Sequence, residues 1–68
     1  MKEISKKLGD NLKKIRLKKG MTQGDVHRKT GMDRAYVSGL EKGERNPTIA
    51  NVQKLAEALG ITPDLLLK

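Results

Sequence analysis

Apolar residues recur along this chain at the spacing of helix faces. Ile4, Leu8, Leu12 and Ile15 follow one another at steps of four, four and three, which at about 100° per residue confines them to one stripe of a first helix. Lys18 and Lys19 suit the negative end of that helix's dipole, and Gly20 supplies a left-handed stop. Thr22 followed by Asp25 predicts a capping box for a second helix, which Gly31 closes. Asp33 is placed to cap a third helix that Gly43 ends, and the run from Gly43 to Pro47 has turn chemistry, with Pro47 restricting Asn46 to extended backbone. Thr48 caps a fourth helix with the apolar set Ile49, Val52, Leu55, Ala56 and Leu59, and Gly60 ends it. Thr62 and Pro63 predict a cap and a first-turn proline for a last helix carrying Leu65, Leu66 and Leu67. Neither strand-like alternation nor an internal repeat interrupts this pattern, so the expected fold is all-α, a compact five-helix bundle in one domain over residues 1–68. Gly9, Gly24 and Gly39 fall inside helices at roughly 1 kcal/mol each relative to alanine. Such costs point to positions chosen for something other than helix stability.

Composition narrows the function classes. A chain of 68 residues buries only about 60% of its unfolded surface, which leaves no room for a large enclosed catalytic cavity. It has no cysteine and a single histidine, His27, so neither a disulfide framework, a thiolate site nor a zinc cluster is available, and no metal or other cofactor is expected. No apolar run approaches the ~20 residues of a membrane span, and the basic first segment lacks the bulky aromatics of a surface anchor. A cytoplasmic protein without a membrane partner follows. The net charge of +7 invites a polyanion, because each phosphate neutralised by Lys or Arg releases condensed counterions. Residues 1–20 hold eight Lys or Arg against Glu3 and Asp10, whereas the remainder holds seven against six. Charge alone therefore does not locate a recognition surface.

Several spaced features supply the location. Thr22-Gln23 through Thr30-Gly31, Asp33 with Val37 through Leu40-Glu41-Lys42-Gly43, Arg45-Asn46-Pro47-Thr48, and Leu55-Ala56 through Ala58-Leu59-Gly60 together resemble the Cro and phage-repressor, or Xre-like, helix-turn-helix family, over nearly the whole chain. The resemblance implies a lambda-repressor-like DNA-binding domain with its motif at residues 22–42 and a recognition helix at about 33–42 lying in the major groove. Small repressors and restriction-modification controllers are similar proteins. On a helical wheel Arg34, Ala35, Ser38, Gly39 and Lys42 share a free face, while Val37 and Leu40 point the other way. Arg34, Ala35, Ser38 and Gly39 are thus the expected base-facing residues, with Arg34 suited to a bidentate contact with guanine O6 and N7. By similarity, Gln23, Tyr36, Lys42, Arg45 and Asn46 are the expected phosphate contacts. Arg16 and Glu41 match a family pair that forms a salt bridge from the first helix to the end of the recognition helix, a structural role.

Two positions depart from the family pattern. His27 stands where relatives prefer Ala, beside Val26 where Leu is usual; this is either an exchange of volume or a pH-sensitive charge at the helix junction. Gly39 stands where many relatives carry a polar reader, which leaves specificity to Arg34, with Ser38 in support, and to DNA shape.

The implied function is a transcriptional regulator, repressor or controller, binding a palindromic operator in double-stranded DNA as a homodimer at the nucleoid, with half-sites about 34 Å apart. The alternative is an antitoxin or other protein-interaction module with secondary DNA binding. Nothing resembles a catalytic triad, a phosphate loop, a metal site or a small-molecule site, so no enzyme is expected. Ile61, Leu65, Leu66 and Leu67 offer more apolar surface than a short terminal helix needs, and are the expected dimer interface.

Overall fold

The computed structural model describes residues 3–68; Met1 and Lys2 lie outside the described residues. Five helices follow in order: α1 (Glu3–Lys18), α2 (Gln23–Thr30), α3 (Arg34–Glu41), α4 (Ile49–Leu59) and α5 (Asp64–Leu67). α1 packs on α3 and α5, and α2 packs on α3 and α4. Leu8, Leu12, Val26, Val37, Leu40, Leu55 and Leu66 are fully buried at the centre, with Met32, Val52, Ala56 and Leu59 around them.

The local chemistry of the caps sets the helix limits. The Thr22 hydroxyl accepts from the Asp25 amide at 3.0 Å while the Asp25 carboxylate accepts from the Thr22 amide at 2.8 Å, a reciprocal capping box. The Asp25 carboxyl is held below its ordinary value of 3.8, first by the Thr22 amide and then by Arg28. Gly31 closes α2 and Gly60 closes α4, both in the left-handed conformation. Thr48 accepts from the Asn51 amide at the head of α4. Asp33 precedes α3 as expected, but its side chain makes no capping bond. The turn from α2 to α3 is closed instead by the Thr30 hydroxyl, which donates to the Val26 carbonyl and accepts from the Met32 amide. At α5 the residue before the helix is Pro63 rather than Thr62. The Thr62 hydroxyl beside Asp64 holds that carboxyl below its usual range.

Two apolar positions differ from the periodicity. Ile4 is 54% exposed and Ile49 is 82% exposed, because each stands in the first turn of its helix, beyond the elements that cover the core. The buried face of α1 runs through Ser5, Leu8, Gly9, Leu12 and Arg16. Its two polar members are both satisfied, Ser5 donating to Asn46 Oδ1 at 2.9 Å and Arg16 pairing with Glu41. Leu66, expected at a dimer interface, is fully buried and belongs to the core, and Ile61 packs against the same cluster. Only Leu65 and Leu67 of that expected set remain substantially exposed.

Gly9 explains how α1 and α3 fit. A Cβ there would collide with the Leu40 carbonyl oxygen and lie 2.9 Å from that of Glu41. Glycine lets the backbone of α1 come against the end of α3, which fixes where α3 points.

Candidate nucleic-acid interface

α3 turns Val37 and Leu40 into the core and leaves its other side free. On that side Arg34, Ala35 and Lys42 are exposed, and Ser38 is half-buried. The Arg34 guanidinium carbon lies 3.7 Å from where a Cβ on Gly24 would stand, so Arg34 reaches back over the head of α2 at ordinary van der Waals distance.

Gly39 is on the same side but is itself buried. Its cover is Arg45, whose Cγ lies 2.8 Å from the position of a Cβ on Gly39. The Arg45 guanidinium carbon then stands 5.9 Å from the centroid of the Tyr36 ring, within reach of a cation–π contact. At position 39 the outer surface of α3 is therefore the stem of Arg45. The expectation of a bare groove-facing glycine is corrected accordingly, because a side chain supplied by the following loop occupies the space that Gly39 leaves.

A buried polar cluster fixes the orientation of α3. Arg16 Nε donates to Glu41 Oε2 at 2.6 Å and Arg16 Nη2 donates to Glu41 Oε1 at 3.0 Å, a bidentate pair. Arg16 Nη1 also donates to the Met21 carbonyl at 2.8 Å. The hydrogen bond to Glu41 raises the Arg16 pKa above its ordinary value despite burial. Gln23 Nε2 donates to the same Glu41 Oε1 at 3.0 Å. One carboxylate thus joins α1, α2 and α3, and the side-chain amide of Gln23 is spent inward while its backbone stays at the head of α2.

Tyr36 is half-buried against the core, and its hydroxyl accepts from Asn51 Nδ2 at 3.0 Å and donates to the Asn46 carbonyl at 3.5 Å. The Asn46 side chain turns toward α1 through Ser5. Ser5 and Asn51 are two positioning residues that the sequence reading missed. A serine on an apolar stripe was the one signal for Ser5, and nothing in the sequence pairs Asn51 with Tyr36. His27 is half-buried, and its Nδ1–H donates to the Met32 carbonyl at the junction of α2 and α3. A carbonyl only accepts, so Nδ1 is the donor in this bond.

The assembled face carries Arg34, Lys42 and Arg45 as cations, Ser38 as a hydroxyl, and little bulk at Ala35, with the Arg45 stem over Gly39. Such a face fits a groove edged with phosphates and lined with base acceptors. No helix among the described residues is long and apolar enough to cross a membrane.

Comparison with known proteins gives concordant matches. A family model described as helix-turn-helix matches residues 12–66. An uncharacterized HTH-type transcriptional regulator of Sinorhizobium fredii, y4dJ, is 40% identical over 60 residues, covering 88% of this chain and 78% of that protein. The crystal structure of the restriction-modification controller protein C.AhdI from Aeromonas hydrophila is similar with a TM-score of 0.88 at 42% identity, over 91% of this chain and 94% of that one. The controller protein C.Esp1396I, a tetramer in complex with its natural 35 base-pair operator, is similar with a TM-score of 0.88 at 36% identity, over 97% of this chain and 87% of that one.

Proposed function

The chain belongs to the helix-turn-helix family, and from that premise we propose that it is a transcriptional regulator, repressor or controller, that binds a two-fold symmetric operator as a homodimer. The observation that carries this reading is the free face of α3, where Arg34, Ala35, Ser38 and Lys42 are presented together and Arg45 lies across Gly39. α3 enters the major groove with this face. Arg34, at its N-terminal end, pairs with a guanine, Ser38 and Ala35 lie against neighbouring base edges, and Lys42 holds phosphate. Arg45 joins the groove-facing set in place of a side chain at Gly39. The backbone amides at the head of α2 and the helix dipole take a second phosphate, with Gln23 acting there through its position rather than its side-chain amide. Tyr36 and Asn46 act chiefly by placing Arg45. The Arg16–Glu41 pair holds the recognition helix at its angle. The protein works at the nucleoid and needs no cofactor.

Selection of binding sites from random duplexes, repeated across a salt titration and with an Arg34→Ala variant, tests the reading. The parent should enrich a palindrome, and the variant should lose preference at one guanine per half-site while keeping salt-sensitive non-specific binding. No enriched sequence for the parent would defeat the proposal, and equal loss by the variant on every duplex would make Arg34 a phosphate contact.

A further inference from the structure

Gly24 is buried in the first turn of α2, and the atoms around it are those of polar side chains. A Cβ there would stand 3.3 Å from Arg28 Nη1, 3.5 Å from Thr22 Oγ1 and 3.7 Å from Arg34 Cζ. Two guanidiniums, one from α2 and one from α3, thus come together over one glycine. Asp25 accepts from Arg28 Nη2 through one carboxylate oxygen and from the Thr22 amide through the other, so both of its oxygens are engaged. Among the described residues Arg34 enters no ion pair. Two cations and one anion leave a positive charge unbalanced, and the Arg28 side chain is 67% exposed.

We propose that Arg28 is a further DNA-contacting residue, which holds the backbone phosphate beside the guanine that Arg34 reads. This rests on the DNA-binding reading above and extends it to a side chain of α2. An exposed ion pair between residues three apart adds little to stability, so the chief effect of Asp25 on Arg28 is placement: it fixes Nη2 and leaves Nη1 turned toward Arg34. Guanidiniums this close repel one another, and an anion received between them relieves the repulsion. A phosphate diester suits them, because its two free oxygens match the parallel N–H groups of a guanidinium. Position decides where that phosphate lies. The first helix of a helix-turn-helix crosses the DNA backbone while the N-terminal end of the second meets base edges. Arg34 is the first residue of α3, so the phosphate within reach of its α2 neighbour belongs to the strand beside its base. Any side chain at position 24 would enter the space where the two groups converge, which accounts for a glycine inside α2.

Equilibrium titrations on the selected operator, across a salt series, compare the parent with Arg28→Gln and Lys29→Gln. Lys29 is the adjacent exposed cation of α2 but faces a different cleft, with Lys54 and Glu57. Arg28→Gln should bind about tenfold more weakly per half-site and flatten the slope of log affinity against log salt by about 1 per half-site. Its loss should be equal on operator and random duplexes, with the guanine preference kept. Lys29→Gln should keep the parent's slope. Replacing the phosphates around the guanine one at a time with uncharged methylphosphonates locates the contact. One linkage should weaken the parent and weaken Arg28→Gln no further. Thermal unfolding checks that both variants remain folded. An unchanged slope in Arg28→Gln, an equal flattening in Lys29→Gln, or methylphosphonate losses of the same size in parent and Arg28→Gln at every linkage would each overturn the assignment while leaving α3 as the reader. Loss of the guanine preference in Arg28→Gln would also overturn it, by making Arg28 a support for Arg34. A parent that enriches no sequence defeats the operator reading instead, and the phosphate contact of Arg28 would still show as a flattened slope on any duplex.

Discussion

Glycine in the middle of a helix costs about 1 kcal/mol relative to alanine, and the same substitution at two glycines here should have opposite consequences. At Gly39 the atom in the way is Cγ of Arg45, part of a flexible side chain from an exposed loop residue. Gly39→Ala should leave the melting temperature unchanged or raise it, by up to about 1 kcal/mol of stability, because Arg45 swings aside. The same displacement takes Arg45 off the α3 face, so affinity for the selected operator should fall while fold stability does not. At Gly9 the obstructing atoms are backbone carbonyls of α3, which cannot move without moving the recognition helix. Gly9→Ala should cost at least about 1–3 kcal/mol, the range for overpacking a core. Thermal denaturation of both variants, with operator binding measured for each, checks the pair. A destabilised Gly39→Ala with undiminished binding would show that Arg45 does not depend on the space that Gly39 leaves.

Helices in this fold are defined by caps and then locked to one another by one buried carboxylate. Glu41 accepts from Arg16 and Gln23 at once, so removing either charge of the pair leaves the other buried without its partner. Arg16→Met and Glu41→Gln should each cost about 3–5 kcal/mol, which heat unfolding reads directly, and variants as stable as the parent would deny the bridge its structural role. The capping box at α2 predicts a pH dependence. Because folding lowers the Asp25 pKa below 3.8, its stabilisation is fully present above the unfolded value and is lost as pH falls through the folded one. The parent should out-stabilise Asp25→Asn at pH near 6, and the gap should close below about pH 4. Cap signals were what the chain disclosed best: Thr22 with Asp25, Gly31, Thr48 and Gly60 act locally, within a turn of the helix they bound. The Arg16–Glu41 pair was legible only through family resemblance, since its partners stand 25 residues apart. The burial of Ser5, the exposure of Ile4 and Ile49, and the covering of Gly39 by Arg45 were not legible. Each depends on which element crosses another and where, and helical periodicity assigns a residue to a face without saying how far along the helix its cover extends.

Charge on the whole molecule and charge at the interface make separable contributions to DNA binding. Eight of the cations lie in residues 1–20, and on α1 Lys7, Lys14 and Lys18 point away from the buried stripe formed by Ser5, Leu8, Leu12 and Arg16. Such charges raise the long-range potential that steers encounter, an effect that fades beyond a screening length of about 8–10 Å at ordinary salt. A lysine that holds a phosphate acts differently, by releasing a condensed counterion, and contributes about 0.9 to the slope of log affinity against log salt. Lys42, exposed at the end of α3, is of the second kind in the proposed complex. Lys42→Gln should therefore flatten the slope by about 1 per half-site, whereas Lys14→Gln with Lys18→Gln should leave it nearly unchanged although two charges are removed. The double variant should instead slow association at low salt and match the parent's rate as salt rises. Equilibrium titrations and stopped-flow association on one operator duplex distinguish the two. A slope that falls equally for both variants would mean that the outer face of α1 contacts DNA, and would require the duplex to wrap well beyond α3.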